Sequence, residues 1–298
     1  MDVSVIMPTY NRKNLLEIII PQILNQDFEG EYEVIVSDDG SSDDTGELIS
    51  NFQKMYPNLK YIKSKERKGP AHARNRALNI AQGKLIVFID SDIYVKKDFL
   101  KNHYEIQKEN NFNVIVQGPV INTYNWKEPW TEKFKLRDIS SAFFATGNVS
   151  VSKELLSITG FFDENFTFYG WEDLELGIRL KKMGVKLVKS EKVMVWHLSV
   201  PPDLTNLPYL LNKERERAKS AIYFYKKHPT LEVKMMIQMG RIYKIGNFIQ
   251  RFFGLINEKN IEKWFNFAEK KGYHTLSQIF LSGVLNKVYL EELDKISS

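Results

Sequence analysis

VFIDSDIYV, the stretch from Val87 to Val95, is an apolar strand pattern that ends in two acids, Asp90 and Asp92. Carboxylates are rarely left unpaired in a protein core. A buried strand with this ending therefore has to place both acids at an edge of its sheet, where solvent or a ligand can meet them. The rest of the chain indicates what kind of sheet this is and what else reaches the same edge.

Short apolar runs alternate with helical patterns over roughly the first 120 residues. The runs are VSVIM (3–7), EVIVS (33–37), LKYIKS (59–64) and KLIVFI (84–89). This alternation predicts βαβ units and an α/β fold with a mostly parallel central sheet flanked by helices. After Pro201 and Pro202 the pattern is helical. We expect an α/β domain over 1–200 and a helical C-terminal region over 201–298.

The composition restricts the classes of protein and site. No stretch reaches the roughly 18 apolar residues that a membrane span needs, and the start, MDVSVIMPTY, lacks the pattern of a signal peptide. We therefore expect a cytoplasmic protein, with a peripheral position at the inner face of the plasma membrane as an alternative. The absence of cysteine excludes disulfides, zinc–thiolate sites and cysteine nucleophiles. The net charge of +5 fits an anionic small substrate, a membrane surface or nucleic acid, and equally an ordinary solvated surface.

Polar segments follow three of the predicted strands. PTYNR (8–12) follows the first strand, DDGS (38–41) the second and DSD (90–92) the fourth. Ligands of open parallel sheets bind beyond the carboxyl ends of the strands. We therefore expect these three segments to meet at one edge and to form a ligand site there.

Asp90 and Asp92 can hold a hard divalent cation at such an edge, and Mg²⁺ or Mn²⁺ would in turn neutralise a diphosphate. The alternative is a turn or helix N-cap in which Asp92 only accepts backbone hydrogen bonds. Trp196 and His197 end a later strand pattern, KVMVWH. The imidazole could complete the shell of ligands around the cation, although a lone histidine is more often a structural residue.

The other two segments could serve nucleotide recognition. Asp39 could accept hydrogen bonds from a base N–H or a ribose hydroxyl; a plain loop in which Ser42 or Asp43 caps the next helix is the alternative. The segment 8–11 could supply an aromatic wall and a hydroxyl beside a base, or could be a simple strand-to-helix turn. Arg74, near the start of a predicted helix, could reach phosphates as a fork donor.

The stretch YGWEDLELGIRL (169–180) places Glu172 and Asp173 at the predicted N-terminus of a helix. The helix dipole favours the ionised form of acids there, so one of them could act as a general base. Capping of the helix is the alternative reading, but it does not explain the neighbouring Trp171, which resembles a platform for a sugar ring.

Together these residues resemble the family 2 glycosyltransferases, which are inverting enzymes of the GT-A (Rossmann-like) fold. The matching segments are VSVIMPTYNR, VSDDGSSDDT, KGPAHARNRAL, FIDSDIYV, TGNVSVSKELLSITGFFDENF and GWEDLELGIRLKKMG, in the order of the family, over roughly residues 1–200. The last of them also resembles the acceptor-side segment of galactosyl- and N-acetylgalactosaminyltransferases.

The resemblance implies a role for each matching residue. The residues that would bind the nucleotide sugar are Pro8, Thr9, Tyr10, Asn11, Asp39, Arg74, Asp90, Ser91, Asp92, Gly147 and Asn148. Asp92 and His197 would ligate Mn²⁺ or Mg²⁺, and Asp173 would be the catalytic base. Trp171 and Glu172 would contact the acceptor. Some relatives carry extra glycines between the tryptophan and the acids, so Glu172 remains the alternative base.

The function implied by the resemblance is metal-dependent, inverting transfer of a hexose or N-acetylhexosamine from a UDP-sugar to a hydroxyl of a glycan, a glycolipid or another acceptor, as in polysaccharide biosynthesis. We expect no nucleic-acid partner. Three alternatives are a sugar-1-phosphate nucleotidyltransferase, a phosphatase with an aspartyl nucleophile, and a non-catalytic sugar-binding module.

A basic amphipathic helix is predicted over residues 233–256. This segment has four basic residues and no acidic one, and its apolar residues recur at intervals of three or four. Such a helix could lie on an anionic membrane near a lipid-linked acceptor. It could equally pack on the rest of the chain or on another subunit, which is the commoner role of an apolar stripe.

Overall fold

The computed structural model describes residues 1–140, 142–200, 204–252 and 254–297, without the side chains of Arg137 and Ser297. Two compact units are present. The first consists of Met1–Asn165 and Glu172–Val200, and the second of Phe166–Trp171 with the described chain after residue 203. Pro201 and Pro202 lie outside the described residues. The division into domains 1–200 and 201–298 stays a prediction.

The first unit is built around strands. They are β1 (Val3–Thr9), β2 (Tyr32–Asp38), β3 (Leu59–Lys63), β4 (Leu85–Ile89), β5 (Ile93–Tyr94), β6 (Val114–Gln117), β7 (Val120–Thr123), β8 (Asn148–Ser152), β9 (Lys186–Lys189) and β10 (Val195–Leu198). The described strands form a larger sheet of order β3-β2-β1-β4-β8-β6-β9 and a smaller one of order β5-β10-β7. In the larger sheet β8 runs antiparallel to β4 and β6, and the other neighbours are parallel.

Helices cover both faces of the larger sheet. They are α1 (Lys13–Leu24), α2 (Thr45–Gln53), α3 (Pro70–Ile80), α4 (Phe99–Glu109), α5 (Lys153–Thr159) and α6 (Glu172–Lys182). Side chains alternate along β1, so that Val3, Val5 and Met7 belong to one core cluster, with α1 and α4. Ile6 belongs to another, with α3, α5 and α6. This period of two is that of a strand buried on both faces. The parallel pairs of the larger sheet, with helices on both sides, confirm the predicted α/β fold with a mostly parallel sheet.

The second unit is helical, as predicted for the C-terminal region. Its helices are α7 (Leu207–Lys227), α8 (Leu231–Met236), α9 (Arg241–Gln250), α10 (Ile261–Lys270) and α11 (His274–Ser297). One of its buried apolar clusters is formed mainly by α10 and α11. None of the described helices combines the length and the apolar composition that spanning a bilayer would require.

The prediction of one continuous helix over 233–256 is wrong. Helix α8 ends at Met236, and Gln238 has the left-handed φ of 59°. The N–H of Met239 donates to the carbonyl of Lys234, and that of Gln238 to the carbonyl of Met235. These two bonds are the Schellman closure of a helix C-terminus, so a new helix, α9, begins after Gly240. Residue 253 of this segment lies outside the described residues.

A buried polar cluster joins α4 to β8. The ring nitrogens of His103 lie 2.9 Å from Ser150 Oγ and 3.2 Å from Asn148 Oδ1. His103 is completely buried, and burial lowers its pKa to about 4. The imidazole is therefore neutral in the folded protein at neutral pH.

We expect His103 to make the folding stability depend on pH. Between the folded pKa and the ordinary value, the unfolded chain binds a proton that the folded chain does not. The contribution of His103 is therefore complete above pH ~6.5 and is lost as the pH falls towards 4. At pH ~5 the loss should be about 2 kcal/mol.

Urea unfolding of the wild type and of His103→Gln at about pH 7.5 and pH 5 measures this contribution. The wild type should lose more stability between the two pH values than the variant. The difference between the two proteins is the useful quantity, because other titrating groups contribute equally to both. Equal losses in the two proteins would contradict the neutral buried state of His103.

Candidate active site

The sheet register brings the predicted site residues to one edge of the first unit. β1 pairs with β2 up to Thr9 and Asp38, at the carboxyl ends of both strands. β4 ends at Ile89, one residue before Asp90, and Ile89 pairs with Asn148 at the start of the antiparallel β8. The segments 8–11, 38–41, 90–92 and 147–148 therefore lie at the ends of neighbouring strands. The first three were expected there because each follows a predicted strand.

Asp92 and His197 form a pair at this edge. β5 begins directly after Asp92 and pairs with β10, so that His197 lies opposite Ile93. His197 Nε2 is 3.3 Å from Asp92 Oδ2. The other ring nitrogen, Nδ1, lies 2.8 Å from Asn122 Oδ1 and 3.0 Å from Ser199 Oγ. Burial disfavours a charge on either partner, but their mutual contact outweighs it, lowering the pKa of Asp92 and raising that of His197.

The same pair suits a divalent cation. If Nδ1–H donates to Asn122 Oδ1, the lone pair of His197 is on Nε2, the atom that faces Asp92, and such an outer hydrogen bond is typical of metal-bound histidines. No group of three or more potential His, Cys, Asp or Glu ligands occurs in the described part of the chain. A cation held by Asp92 and His197 would thus need oxygens from a bound diphosphate and water, which is how Mg²⁺ is commonly bound.

Arg74 connects two acids that are far apart in the sequence. It is almost completely buried in α3, and its Nη2 lies 3.0 Å from Asp90 Oδ1 while its Nη1 lies 2.9 Å from Glu172 Oε1. Within the described residues, its Nε has no hydrogen-bond partner. The predicted contact of Arg74 with phosphates stays a prediction, because two arms of its fork already hold carboxylates.

Asp173 differs from the neighbouring Glu172. Glu172 is buried and paired with Arg74, whereas Asp173 is partly exposed. Asp173 Oδ1 accepts a bond from Leu174 N at 2.8 Å, and Oδ2 accepts a longer one from Thr146 N at 3.4 Å. Burial of the carboxylate, and next the charge of Glu172, raise the pKa of Asp173 to about 7. A carboxylate with this pKa is matched to proton transfer near neutral pH.

Tyr10 and Thr9 offer two further groups at the edge. The Tyr10 ring is 37% exposed, and the guanidinium of Arg67 lies 4.5 Å from its centroid. Thr9 Oγ1 is buried and, among the described residues, has no hydrogen-bond partner. An exposed aromatic face with a neighbouring cation can stack on a base.

Asp39 and Asn11 serve partly to organise the loops. The two oxygens of Asp39 accept bonds from the N–H groups of Lys68 and Gly69, each at 2.8 Å. Burial outweighs these bonds and raises the pKa of Asp39. Asn11 Oδ1 accepts a bond from Ser42 N at 2.8 Å, which ties the loop after β1 to the loop after β2.

The remaining residues that were predicted to bind the nucleotide sugar are Pro8, Ser91, Gly147 and Asn148. Pro8 is the next-to-last residue of β1 and pairs with Ser37, and Ser91 is buried between the two acids. A Cβ at Gly147 would lie 3.5 Å from Asp90 Oδ2, so the backbone there runs alongside that acid. Asn148 differs, because its amide contacts His103 and donates to the carbonyl of Val193 at 2.7 Å. Its side chain is therefore engaged in the interior.

Trp171 belongs to the second unit and is packed there. Its indole N–H donates to the carbonyl of Arg217 at 2.9 Å, and its ring lies 6.3 Å from that of Phe224 and 6.5 Å from that of Tyr289. Its φ of 78° is in the left-handed region, which large side chains rarely adopt. Its role as a sugar platform stays a prediction.

Sequence reasoning missed three residues of the site. Arg12 Nη1 lies 3.7 Å from Asp92 Oδ2, and its position within PTYNR was a signal for it. No sequence motif indicates Arg67, which lies over the Tyr10 ring, or Asn122, which contacts His197. Each of these contacts joins segments that are distant along the chain.

Comparisons with known proteins agree with this arrangement. A family model described as Glycosyl transferase family 2 matches residues 4–163. Hyaluronan synthase from Pasteurella multocida is 28% identical to this chain over an alignment that covers 83% of this chain but only 31% of that protein.

Two solved structures resemble the fold. Mannosyltransferase PcManGT from Pyrobaculum calidifontis, in complex with GDP-Man and Mn²⁺, has a TM-score of 0.63 at 20% identity, over 97% of this chain and 86% of that one. TarS 1–349 from S. aureus, in complex with UDP-GlcNAc, has a TM-score of 0.56 at 18% identity, over 100% of this chain and 92% of that one. Both likenesses support the predicted GT-A fold.

Proposed function

The chain belongs to glycosyl transferase family 2, and we propose that it is an inverting hexosyltransferase that moves a sugar from a UDP-sugar to an acceptor hydroxyl. The Arg74 bridge is the observation that carries this proposal. One buried guanidinium ties Asp90, beside the pair of Asp92 and His197, to Glu172, the neighbour of Asp173. The acids assigned to the donor are thereby linked to the acid assigned to the acceptor within one unit.

Recognition of the nucleotide is assigned to the loops after β1 and β2. The exposed ring of Tyr10 would stack on the base, and the hydroxyl of Thr9 would donate to the nucleotide. Asp39 would accept a bond from the base or the ribose besides its two backbone bonds. The TarS complex contains UDP-GlcNAc and the PcManGT complex GDP-Man, so both nucleotides have to be compared in an assay.

Asp92 and His197 are the residues that would hold Mn²⁺ or Mg²⁺. When bound, the cation would supply positive charge to the diphosphate. Arg12, whose guanidinium faces Asp92, would add a fixed positive charge beside the same leaving group. Asp90 would contact the ribose or the sugar of the donor, with Arg74 and the Gly147 backbone holding it in place.

Asp173 would act as the base. Its carboxylate would take the proton from the acceptor hydroxyl as that oxygen attacks the anomeric carbon. The bond from this carbon to the diphosphate oxygen breaks on the opposite face, so the configuration inverts. Glu172 would contact the acceptor and raise the pKa of Asp173 by its charge. A glycan or a lipid-linked sugar is the acceptor class that we propose.

The transfer rate should fall as the pH drops below about 7, because protonated Asp173 cannot accept a proton. Glu172→Gln removes a negative charge that raises the pKa of Asp173 and leaves Arg74 with one fewer anionic partner. Both effects lower that pKa, so the acid limb of the rate profile should move to lower pH.

Initial rates between about pH 5 and pH 9, with saturating substrates, measure this shift. Glu191→Gln is the matched control, because Glu191 is an exposed acid in a turn next to β10. An acid limb that keeps its position in Glu172→Gln would contradict the assignment of Asp173.

The proposed function is tested by the release of nucleoside diphosphate from a panel of UDP- and GDP-sugars with Mn²⁺, Mg²⁺ or EDTA, with and without glycan acceptors. Metal-dependent release from one UDP-sugar is the expected result. Phosphate release from a sugar phosphate would favour the phosphatase, and pyrophosphate-dependent formation of a nucleoside triphosphate would favour the nucleotidyltransferase. Sugar binding without nucleotide binding would favour the non-catalytic module.

A further inference from the structure

Helix α9 carries its apolar side chains on the outside. Ile242, Ile245 and Ile249 are 75%, 60% and 57% exposed. Asn247 is buried instead, and its amide donates to the carbonyl of Gly283 on α11 at 2.8 Å. A helix that packs in a protein core shows the reverse arrangement, with its apolar stripe inside.

Polar side chains line the contact of α9 with α11. A Cβ added at Gly283 would lie 3.0 Å from Cγ of Arg251 and 3.4 Å from Cγ of Gln250. The absence of a side chain at Gly283 thus lets the polar side of α9 approach α11 closely. The sequence left open whether the apolar stripe packs on the chain or faces outward, and in this structure the larger part of it faces outward.

The outward residues form one surface, which we call the α9 surface. Its members are Ile242, Ile245, Phe248, Ile249, Phe252 and Leu255, each of them exposed. Positions 242, 245 and 249 follow the helical spacing of three and four residues, so they lie on one side of the helix. Phe252 and Leu255 follow the end of the helix. An exposed apolar cluster of this kind marks a binding surface.

Basic residues accompany this surface. Residues 233–257 contain Lys234, Arg241, Lys244 and Arg251 and no acidic residue. Lys234, Arg241 and Lys244 are exposed, although Lys244 also pairs with Asp294 on α11 at 2.6 Å. Apolar side chains with cations among and beside them match the boundary of an anionic bilayer, where the acyl region meets negative headgroups.

A second copy of the chain is a poorer occupant. In a symmetric dimer the same patch faces itself, so the basic residues of 233–257 in one copy would face the same segment of the other copy, which is basic and has no acidic residue. Like charges facing each other at an interface are unfavourable. An anionic surface satisfies the same cations.

We propose that the chain binds to anionic phospholipid surfaces through the α9 surface, with the apolar residues in the headgroup–acyl boundary and Lys234 and Arg241 near the phosphates. This inference rests on the second unit alone and does not depend on the proposed transferase function.

Co-sedimentation of the full chain with vesicles tests the proposal. Vesicles of phosphatidylcholine with about 30% phosphatidylglycerol should bind the protein, and vesicles of phosphatidylcholine alone should bind it much more weakly. The double variant Ile245→Asp/Ile249→Asp should weaken binding by about tenfold or more. Lys234→Glu/Arg241→Glu should weaken it on anionic vesicles only. Circular dichroism verifies the fold of each variant.

Ile158→Asp is the matched control, because Ile158 is a similarly exposed isoleucine (65%) on α5 of the first unit. It should bind vesicles like the wild type. Three results would overturn the proposal: no binding to anionic vesicles, equal binding by Ile245→Asp/Ile249→Asp, or equal binding to both kinds of vesicle. A dimer in solution that this double variant dissociates, without vesicle binding, would assign the surface to a second copy.

Discussion

Asp173→Asn is expected to reduce the rate of sugar transfer by about 10²–10⁴-fold, the usual contribution of a general base. Asparagine keeps the size of the side chain and can still accept a bond from Leu174 N, but it cannot take a proton from the acceptor. Nucleotide affinity should stay unchanged, since the residues assigned to the nucleotide belong to other segments.

Rates of nucleoside diphosphate release and the dissociation constant for UDP, measured on the same variant, separate these two effects. Asp98→Asn is the control, because Asp98 is an exposed acid whose side chain makes no capping bond. A variant Asp173→Asn that transfers sugar at the wild-type rate would move the role of base to Glu172. The buried position of Glu172 and its contact with Arg74 argue against that role.

Asp92→Ala is expected to abolish the metal dependence of UDP binding. The substitution removes the carboxylate that faces His197 and leaves one predicted protein ligand for the cation. The loss of affinity in Mn²⁺ should be at least as large as the roughly 10–100-fold that the loss of an outer-shell partner causes. In EDTA the wild type and the variant should bind UDP equally.

Calorimetric titration of UDP in Mn²⁺ and in EDTA checks this expectation. Asn122→Ala should give an intermediate loss, because it removes only the partner that orients the His197 ring. Asp98→Ala should behave like the wild type. If UDP bound Asp92→Ala in Mn²⁺ as tightly as the wild type, Asp92 would not be a metal ligand.

Most of the fold follows from patterns that are local in the sequence. The apolar runs before PTYNR, DDGS and DSD place Thr9, Asp39 and Asp90 at the ends of neighbouring parallel strands, because strand periodicity and turn residues act over a few positions. In the middle of the first unit, local patterns do not predict how the strands pair. The short strands β6, β7 and β9 and the antiparallel β8 pair with strands far along the chain, and nothing in their own residues indicates the partner.

The limits of local patterns are clearest in 233–256. The spacing of three and four residues correctly indicates helix and an apolar stripe, but Gln238 interrupts the helix by a left-handed turn that other residue types adopt more often. Whether the apolar stripe faces the chain or the outside depends on the packing of α9 against α11. The polar side of α9 approaches α11 at Gly283, which has no side chain.

The α/β architecture, the family and the set of polar residues at the strand ends are all readable from the amino-acid sequence, because each of them is recorded in short segments. How those residues divide their roles depends on contacts that form only in the folded chain. Arg74 reaches Glu172 across 98 positions, His197 depends on Asn122, and Asn148 turns towards His103. These pairings arise when distant segments are packed together. The packing decides which acid is paired with a cation, as Glu172 is with Arg74. It also decides which acid has a raised pKa, as Asp173 does beside the charge of Glu172.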